Sequence, residues 1–337
     1  MNRGTHGFIT ATERSVPIPK NAKPATGKLP RNFTIEVALY SDYKHTIVFQ
    51  STAQRIEYLQ ALMLGVSLRY QQLGSRCSIV ITSIIGSRIE NEYYVHRRNA
   101  NEIYGKETLE KLAAVLKRNQ ATVRADVAFL LTGRNVVQWN GKTITANHVG
   151  LAFVGQACAY FKTGLGMDDP LTFSGLHTTA HELGHLLNST HDGEGGSAKC
   201  RADHEHLMHA YEGGQRNYLF SSCSVNAINE FLRSESSFCL KESATFLKYY
   251  LPDGVLKKEG PYLTGPKYCK LFFPNYKNAS YVGRQNSLSD RCHFRCRLMK
   301  SWGTPKEVDI FAPHGTPCTN TGEKMTCYYG LCGLKRG

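Results

Sequence analysis

His181, Glu182 and His185 stand in the order H-E-x-x-H within the run TAHELGHLLNSTHD. On an α-helix, positions four apart share a face and lie about 6 Å apart along the axis. The two imidazoles can therefore clamp one Zn²⁺, with nitrogen about 2.0–2.1 Å from the metal. Glu182 leans beside such an ion rather than onto it, where its carboxylate can take a proton from an attacking water. Two nitrogens leave a catalytic zinc short of a ligand. His191 supplies the third if the helix stops abruptly after Leu187. That stop calls for a residue with positive φ, usually Gly; here it is Asn188, which tolerates that conformation well among non-glycine residues. A rival third ligand is Glu205, twenty residues beyond His185, but it lies in the loop-like run Asp203-His204-Glu205-His206. The shorter, patterned spacing favours His191.

The other histidines nearby read differently. His177 is one turn before His181, on the same face but too far back for a tetrahedral site, and packing or a surface role is its expected use. His204, His206 and His209 surround Met208 and read as turn residues.

Elements able to position these groups are visible upstream. The run TIEVALY, Thr34 to Tyr40, reads as a buried strand. Ile56, Leu59, Leu62, Met63 and Val66 recur every three to four residues, and Ser51 or Thr52 can cap the amphipathic helix they mark. Ser78 to Ile85 is a β-branched strand. Leu109, Leu112, Ala113 and Leu116 mark a second helix, and Asp126 to Thr132 a third strand. His148 to Val154 (HVGLAFV) reads as a fourth, introduced by the Asn140-Gly141 turn signal. Strand, helix, strand, helix, strand describes an α/β layer architecture. A helix start near Thr172 and Ser174 precedes the H-E-x-x-H run.

With 337 residues, the chain has room for one full-sized core and a smaller module. The expected division is a flexible linker or propeptide remnant at 1–31, a catalytic domain at 32–242 and a cysteine-rich basic domain at 243–337. Eleven cysteines, six of them from Cys269 onward, suggest an oxidising, extracytoplasmic setting. No apolar run is long enough for a membrane span, and residues 1–30 hold no signal-peptide core, so a secreted protein would draw its export signal from upstream of Met1. The net charge of +14 is uneven. Residues 1–31 carry six Lys/Arg against one Glu, and 248–337 carry fifteen Lys/Arg against six Asp/Glu; 32–247 balances at twenty of each. Basic ends on a neutral body favour sulfated glycans, anionic surfaces or acidic protein patches, or serve solubility alone. Nucleic acid is not an expected partner.

The motif with His191 and Asp192, followed by His206-Leu207-Met208-His209, resembles the metzincins, whose signature H-E-x-x-H-x-x-G-x-x-H is followed by a methionine turn. The match departs at Asn188. Asp192 after the third histidine, and Phe220-Ser221-Ser222-Cys223 downstream, resemble the adamalysin or reprolysin branch, and within it the secreted salivary metalloproteases of blood-feeding ticks. The likeness spans about Thr34 to Leu240. It implies an α/β (α+β) metzincin catalytic domain with a mixed, mostly parallel five-stranded sheet and a zinc-binding helix, plus a small disulfide-rich C-terminal domain. It also implies Met208 beneath the metal, Glu182 as general base, and substrate extended along the edge strand near Gly150 to Val154.

The same resemblance implies disulfides Cys158–Cys239 and Cys200–Cys223. The six later cysteines can pair in about fifteen ways, and Cys77 is left either as a buried thiol or as a bridge to a missing segment. It further implies a calcium ion held by Glu36, Asp126, the backbone of Cys239, and Glu242 in place of the usual Asn; hard oxygen ligands suit Ca²⁺, while an ordinary ion pair is the competing use of those acids. Gly315-Thr316-Pro317-Cys318, with Cys327 and Gly330-Leu331-Cys332, resembles the cysteine-rich module of relatives that carry thrombospondin repeats. Asn32 and Asn278 are glycosylation acceptors if the chain is exported, whereas a glycan on Asn188 would crowd the metal. The expected activity is a secreted zinc endopeptidase acting on extracellular proteins such as gelatin or fibrinogen. The competing expectation is a weakly catalytic or non-catalytic binding protein that captures glycans or coagulation proteins through its basic domain.

Overall fold

A computed structural model describes residues 27–119, 122, 124–211 and 216–241, and towards the C-terminus 266, 269–270, 278–283, 292–299, 305–312, 318, 325–328 and 331–334. Residues 1–26 of the linker expected at 1–31, and much of the expected 243–337 domain, lie outside the described residues. The chain separates into two compact units, Met1–Leu251 and Pro252–Gly337.

In the first unit the strands are β1 (Asn32–Ser41), β2 (Arg76–Gly86), β3 (Arg97–Asn99), β4 (Glu102–Tyr104), β5 (Val127–Thr132), β6 (Asn135–Trp139), β7 (Ile144–His148), β8 (Gly150–Ala152) and β9 (Thr163–Met167). Its helices are α1 (Tyr43–Thr46), α2 (Thr52–Tyr70), α3 (Gly105–Arg118), α4 (Gly175–Leu186) and α5 (Ser222–Arg233). The main sheet has the order β2-β1-β5-β9-β8. Its first four strands are parallel and β8 closes it antiparallel to β9, so the sheet is mixed and mostly parallel. This is the α/β architecture expected of a metzincin catalytic domain.

Strand alternation divides the core in two. Phe33, Ile35, Val37 and Leu39 of β1, with Val127, Phe129 and Leu131 of β5, join α2 and α4 on one face. Ala38, Tyr40, Ala128 and Leu130 point the other way, onto Leu109, Leu112 and Leu116 of α3. Helices on both faces explain why β1 and β5 read as near-continuous apolar runs, with Glu36 the one charge in β1. Helix α2 is held by Leu59, Leu62, Met63 and Val66, all fully buried, each worth about 1.5–3 kcal/mol relative to exposure. Its cap is Ser51, whose side chain accepts from the Gln54 N–H at 3.1 Å.

One sequence expectation is corrected. The run HVGLAFV is not one strand: it divides at Val149 between the end of β7 and the three-residue β8. The Asn140-Gly141 turn accordingly joins β6 to β7, in a second sheet of order β3-β4-β6-β7, and Gly141 takes φ +90°. The helix start expected near Thr172 and Ser174 falls where α4 begins, at Gly175, although Ser174 does not cap the helix with its side chain. The first amide of that helix, Gly175 N–H, donates instead to Asp168 Oδ1 at 2.8 Å.

Strand β9, TGLGM, carries almost no strand signal because Gly is a poor strand former. The glycines have a packing reason. Leu165 enters the α3-side core, while a Cβ at Gly164 would come 3.0 Å from the Phe129 ring and one at Gly166 3.0 Å from Thr178 Cγ2. Opposite them in register lie Ala152 and Gly150 of β8. The α4 face of β8 and β9 is therefore flattened to Gly150, Ala152, Gly164 and Gly166, which lets the helix lie close.

Disulfides Cys158–Cys239 and Cys200–Cys223 fasten the first unit, and Cys77 is a buried free thiol whose pKa desolvation raises beyond the physiological range. In the second unit, β10 (Asn278–Gly283), β11 (His293–Met299) and β12 (Lys306–Phe311) form an antiparallel sheet. β13 (Met325–Tyr328) and β14 (Leu331–Leu334) form a hairpin. The cysteines there pair as Cys269–Cys296, Cys292–Cys327 and Cys318–Cys332.

Candidate active site

Helix α4 is fixed at both ends before any ligand is considered. At its start, Asp168 Oδ1 takes the Gly175 amide, while Oδ2 takes the Tyr58 hydroxyl at 2.7 Å and meets His45 Nε2 at 2.9 Å. Midway, Tyr70 donates to the Ala180 carbonyl at 2.9 Å. At its end, Ser189 N–H reaches Gly184 O at 3.0 Å and Asn188 N–H reaches His185 O at 2.8 Å, the paired bonds of a Schellman cap. Asn188 has φ +75°, the left-handed stop that folds the chain back towards His191. The segment after β8 adds Gly155 N–H to His185 O at 2.8 Å and Ala157 N–H to Leu186 O at 3.0 Å.

These anchors bring three imidazoles together. The Nε2 atoms of His181, His185 and His191 lie 3.0, 3.1 and 3.2 Å from one another, all buried. Four-coordinate zinc with nitrogen at about 2.0–2.1 Å sets its ligands about 3.3 Å apart, so the spacing suits that ion. The tautomers also fit. His181 Nδ1 lies 2.8 Å from Leu207 O and His185 Nδ1 2.7 Å from Ser189 O. A carbonyl can only accept, so each Nδ1 carries the proton and each Nε2 presents a lone pair. Converging lone pairs repel unless a cation lies between them. Burial lowers all three proton affinities, His181 well below the usual histidine range, His185 to about 4 and His191 to about 3. The rings thus stay neutral and ligand-ready at physiological pH.

Glu182 is fully buried, and neither carboxylate oxygen has a hydrogen-bond partner among the described residues. Desolvation raises its pKa well above the normal carboxylate range. An orphaned buried carboxylate calls for an explanation, and a proton-transfer role supplies one. Met208 is buried beneath the helix; a Cβ on Gly184 would stand 2.7 Å from its sulfur. Asp192 binds the turn from the other side, its N–H donating to Met208 O at 3.0 Å and its Oδ1 accepting from Ser221 Oγ at 2.5 Å.

Glu205 does not join the cluster. It occupies an exposed left-handed turn at φ +52°. Among the described residues, His181, His185 and His191 form one group able to hold a metal ion; the other, Cys292, Cys318 and Cys327, consists of sulfurs engaged in disulfides. His177 is buried with its ring centroid 6.3 Å from that of His181, its pKa lowered to about 3 by burial and then by the Arg69 charge. Around the expected calcium group, Asp126 Oδ2 accepts the Glu36 N–H at 2.8 Å, and Asp126 O accepts from the N–H of Cys158, the disulfide partner of Cys239. Glu242 lies outside the described residues.

Sequence reading missed Asp168, and it read Gly150 only as the start of the edge strand along which substrate lies. The first has no motif, and of its three partners Tyr58 and His45 come from segments more than a hundred residues away. The second stands at the start of the edge strand in the register described above, which only the sheet pairing reveals.

The geometry defines the donor set of an H-E-x-x-H metal centre with a third histidine. Residues 96–244 match the family described as Reprolysin (M12B) family zinc metalloprotease. A protein of Bombyx mori named "A disintegrin and metalloproteinase with thrombospondin motifs like" is 29% identical over 209 residues, covering 55% of this chain and 30% of its own length. "Venom metalloproteinase BumaMPs1" of Olivierus martensii is 27% identical over 218 residues, 62% of this chain and 55% of that protein. "A disintegrin and metalloproteinase with thrombospondin motifs 18" of Mus musculus is 26% identical over 321 residues, 91% of this chain and 24% of that protein. The chain thus spans between 24% and 55% of the length of these relatives. None of the three carries the narrower likeness to tick salivary proteins.

Proposed function

We propose that this chain is a zinc endopeptidase that hydrolyses extracellular proteins, with His181, His185 and His191 holding the ion and Glu182 carrying the proton. The observation that supports it most is the convergence of three buried, neutral imidazoles beside a buried carboxylate with no partner. A zinc ion there supplies Lewis acidity, polarising a peptide carbonyl and making water acidic enough to lose a proton near neutral pH. Glu182 accepts that proton on a carboxylate oxygen and delivers it to the leaving amine nitrogen. The carbonyls of Leu207 and Ser189 hold the rings of His181 and His185 in orientation. Strand β8, at the edge of the main sheet, offers unpaired main-chain groups along which an extended substrate adds as a further strand.

Disulfides across both units suit an oxidising, extracellular setting. Among the described residues no helix is long and apolar enough to cross a membrane. Matrix or clotting proteins such as gelatin or fibrinogen are the proposed substrates. The basic stretch from 248 onward, with fifteen Lys/Arg against six Asp/Glu, is the proposed contact for sulfated glycans. A calcium ion at Glu36, Asp126, Cys239 and Glu242 remains part of this proposal. The deciding experiment pairs metal analysis with gelatin or fibrinogen cleavage for the native protein and Glu182→Gln. One zinc per chain in both, with cleavage in the first alone, is the expected result; normal cleavage by Glu182→Gln overturns the assignment.

A further inference from the structure

We propose that Gly150 is a positioning residue for Glu182: the side chain it lacks is the space in which that carboxylate stands. The inference rests on the reading of Glu182 as proton carrier. An ideal Cβ built on Gly150 would lie 2.6 Å from Glu182 Oε1, 2.9 Å from Glu182 Cγ and 2.5 Å from Thr178 Cγ2. All three contacts are closer than packed atoms tolerate, and all come from α4, so the missing Cβ points towards the helix.

The two neighbours respond differently to crowding. Thr178 is β-branched and sits inside α4, 2% exposed, with its methyl also against Gly166; it has few rotamers to retreat into. Glu182 is unbranched at Cβ, and no hydrogen bond fixes its carboxylate among the described residues. Only its walls hold it, and Gly150 is the wall towards β8. Adding one methyl at 150 therefore moves the carboxylate, with the cost to the fold arising at Thr178, and misplacing a reacting group by about 1 Å can cost about a hundredfold in rate. Because the Cβ points towards α4, substrate pairing along the outer edge of β8 is left alone. The expected signature is a fall in kcat at constant KM.

The test uses the full chain as Gly150→Ala, Gly150→Ala/Thr178→Ser and Glu182→Gln, with zinc per chain, Tm, and kcat and KM on a quenched-fluorescent peptide that the native protein cleaves. Thr178→Ser removes the methyl that obstructs a Cβ at 150, leaving the Glu182 contacts. Both Gly150 variants are expected to hold one zinc, with Gly150→Ala melting below the native protein through the Thr178 overlap and the double variant recovering most of that loss, and both with kcat at least about tenfold lower and KM within about twofold. Native kcat in Gly150→Ala overturns the inference. So does recovery of kcat in the double variant, which would assign the obstruction to Thr178, and so does loss of zinc or of folding in the double variant, which would make Gly150 a requirement of the fold. Turnover surviving in Glu182→Gln brings down the proton-carrier reading itself, a result separate from these.

Discussion

At the start of α4 the buried carboxylate of Asp168 meets Gly175 N–H, the Tyr58 hydroxyl and His45 Nε2. Two turns on, the equally buried carboxylate of Glu182 meets nothing among the described residues. The same helix thus holds one acid whose bonding capacity is used by the fold and one whose capacity is kept open. Around Asp168 the network runs further, since His45 Nδ1 lies 2.6 Å from Ser41 Oγ, which in turn reaches Thr46 Oγ1 at 2.8 Å. This Ser-His-Asp chain has 0–2% exposure and offers no route to a substrate, so its geometry serves the start of the helix. Satisfied buried polar groups stabilise; an unsatisfied one in a fold this well packed points to chemistry.

The contrast is tested first at its open end. Glu182→Gln, nearly isosteric, should lower turnover by about 10²–10⁴-fold while zinc content and Tm hold. A large loss of stability instead would place Glu182 with Asp168 as a structural acid. His191→Ala should abolish zinc retention and Glu205→Ala leave it intact, read by metal analysis of the purified protein. The reverse pattern would relocate the third ligand.

At the closed end, Asp168→Ala strands three buried partners at about 1–3 kcal/mol each, so a loss of about 3–9 kcal/mol is expected in a urea titration, with kcat of the surviving folded fraction little changed. Asn188 marks the limit between the two regimes. Asn188→Val should cost about 1–2 kcal/mol, the penalty of a left-handed L-residue, and Asn188→Gly should be neutral or slightly stabilising by the same measurement.

An effect confined to acid concerns His177. Its folded pKa, about 3, is below the ordinary histidine value, chiefly through burial. The unfolded chain therefore binds the extra proton first, and stability falls as pH drops from about 6.5 towards 3, at no more than about 1.4 kcal/mol per pH unit from this group. His177→Gln should flatten that slope without shifting stability at pH 8, as read from melting curves across pH. An unchanged slope would show that His177 is not the group responsible.

Much of the site was legible because it is local. His181 and His185 share a face by helical spacing alone, and Asn188 announces the reversal that returns His191. The strands β1 and β5 were legible for a related reason, since burial on both faces makes most of their residues apolar. Strand β9 was not, because Gly164 and Gly166 remove the β-branched signal where α4 presses closest. The split of HVGLAFV was hidden as well: apolar content marks burial but not where a chain changes sheet.

The order of residues along the chain therefore determined which atoms are available, three imidazoles and an acid at fixed helical offsets, since those offsets need only backbone hydrogen bonds within a dozen residues. What the folded molecule alone decided is how those atoms stand. Asp168 holds α4 through partners more than a hundred residues away in Tyr58 and His45, the C-terminal sulfurs choose one pairing among many, and Gly150 meets Glu182 only because β8 pairs with β9 beneath the helix. Contacts between distant segments are set by packing the whole core, and no local pattern of residue types encodes them.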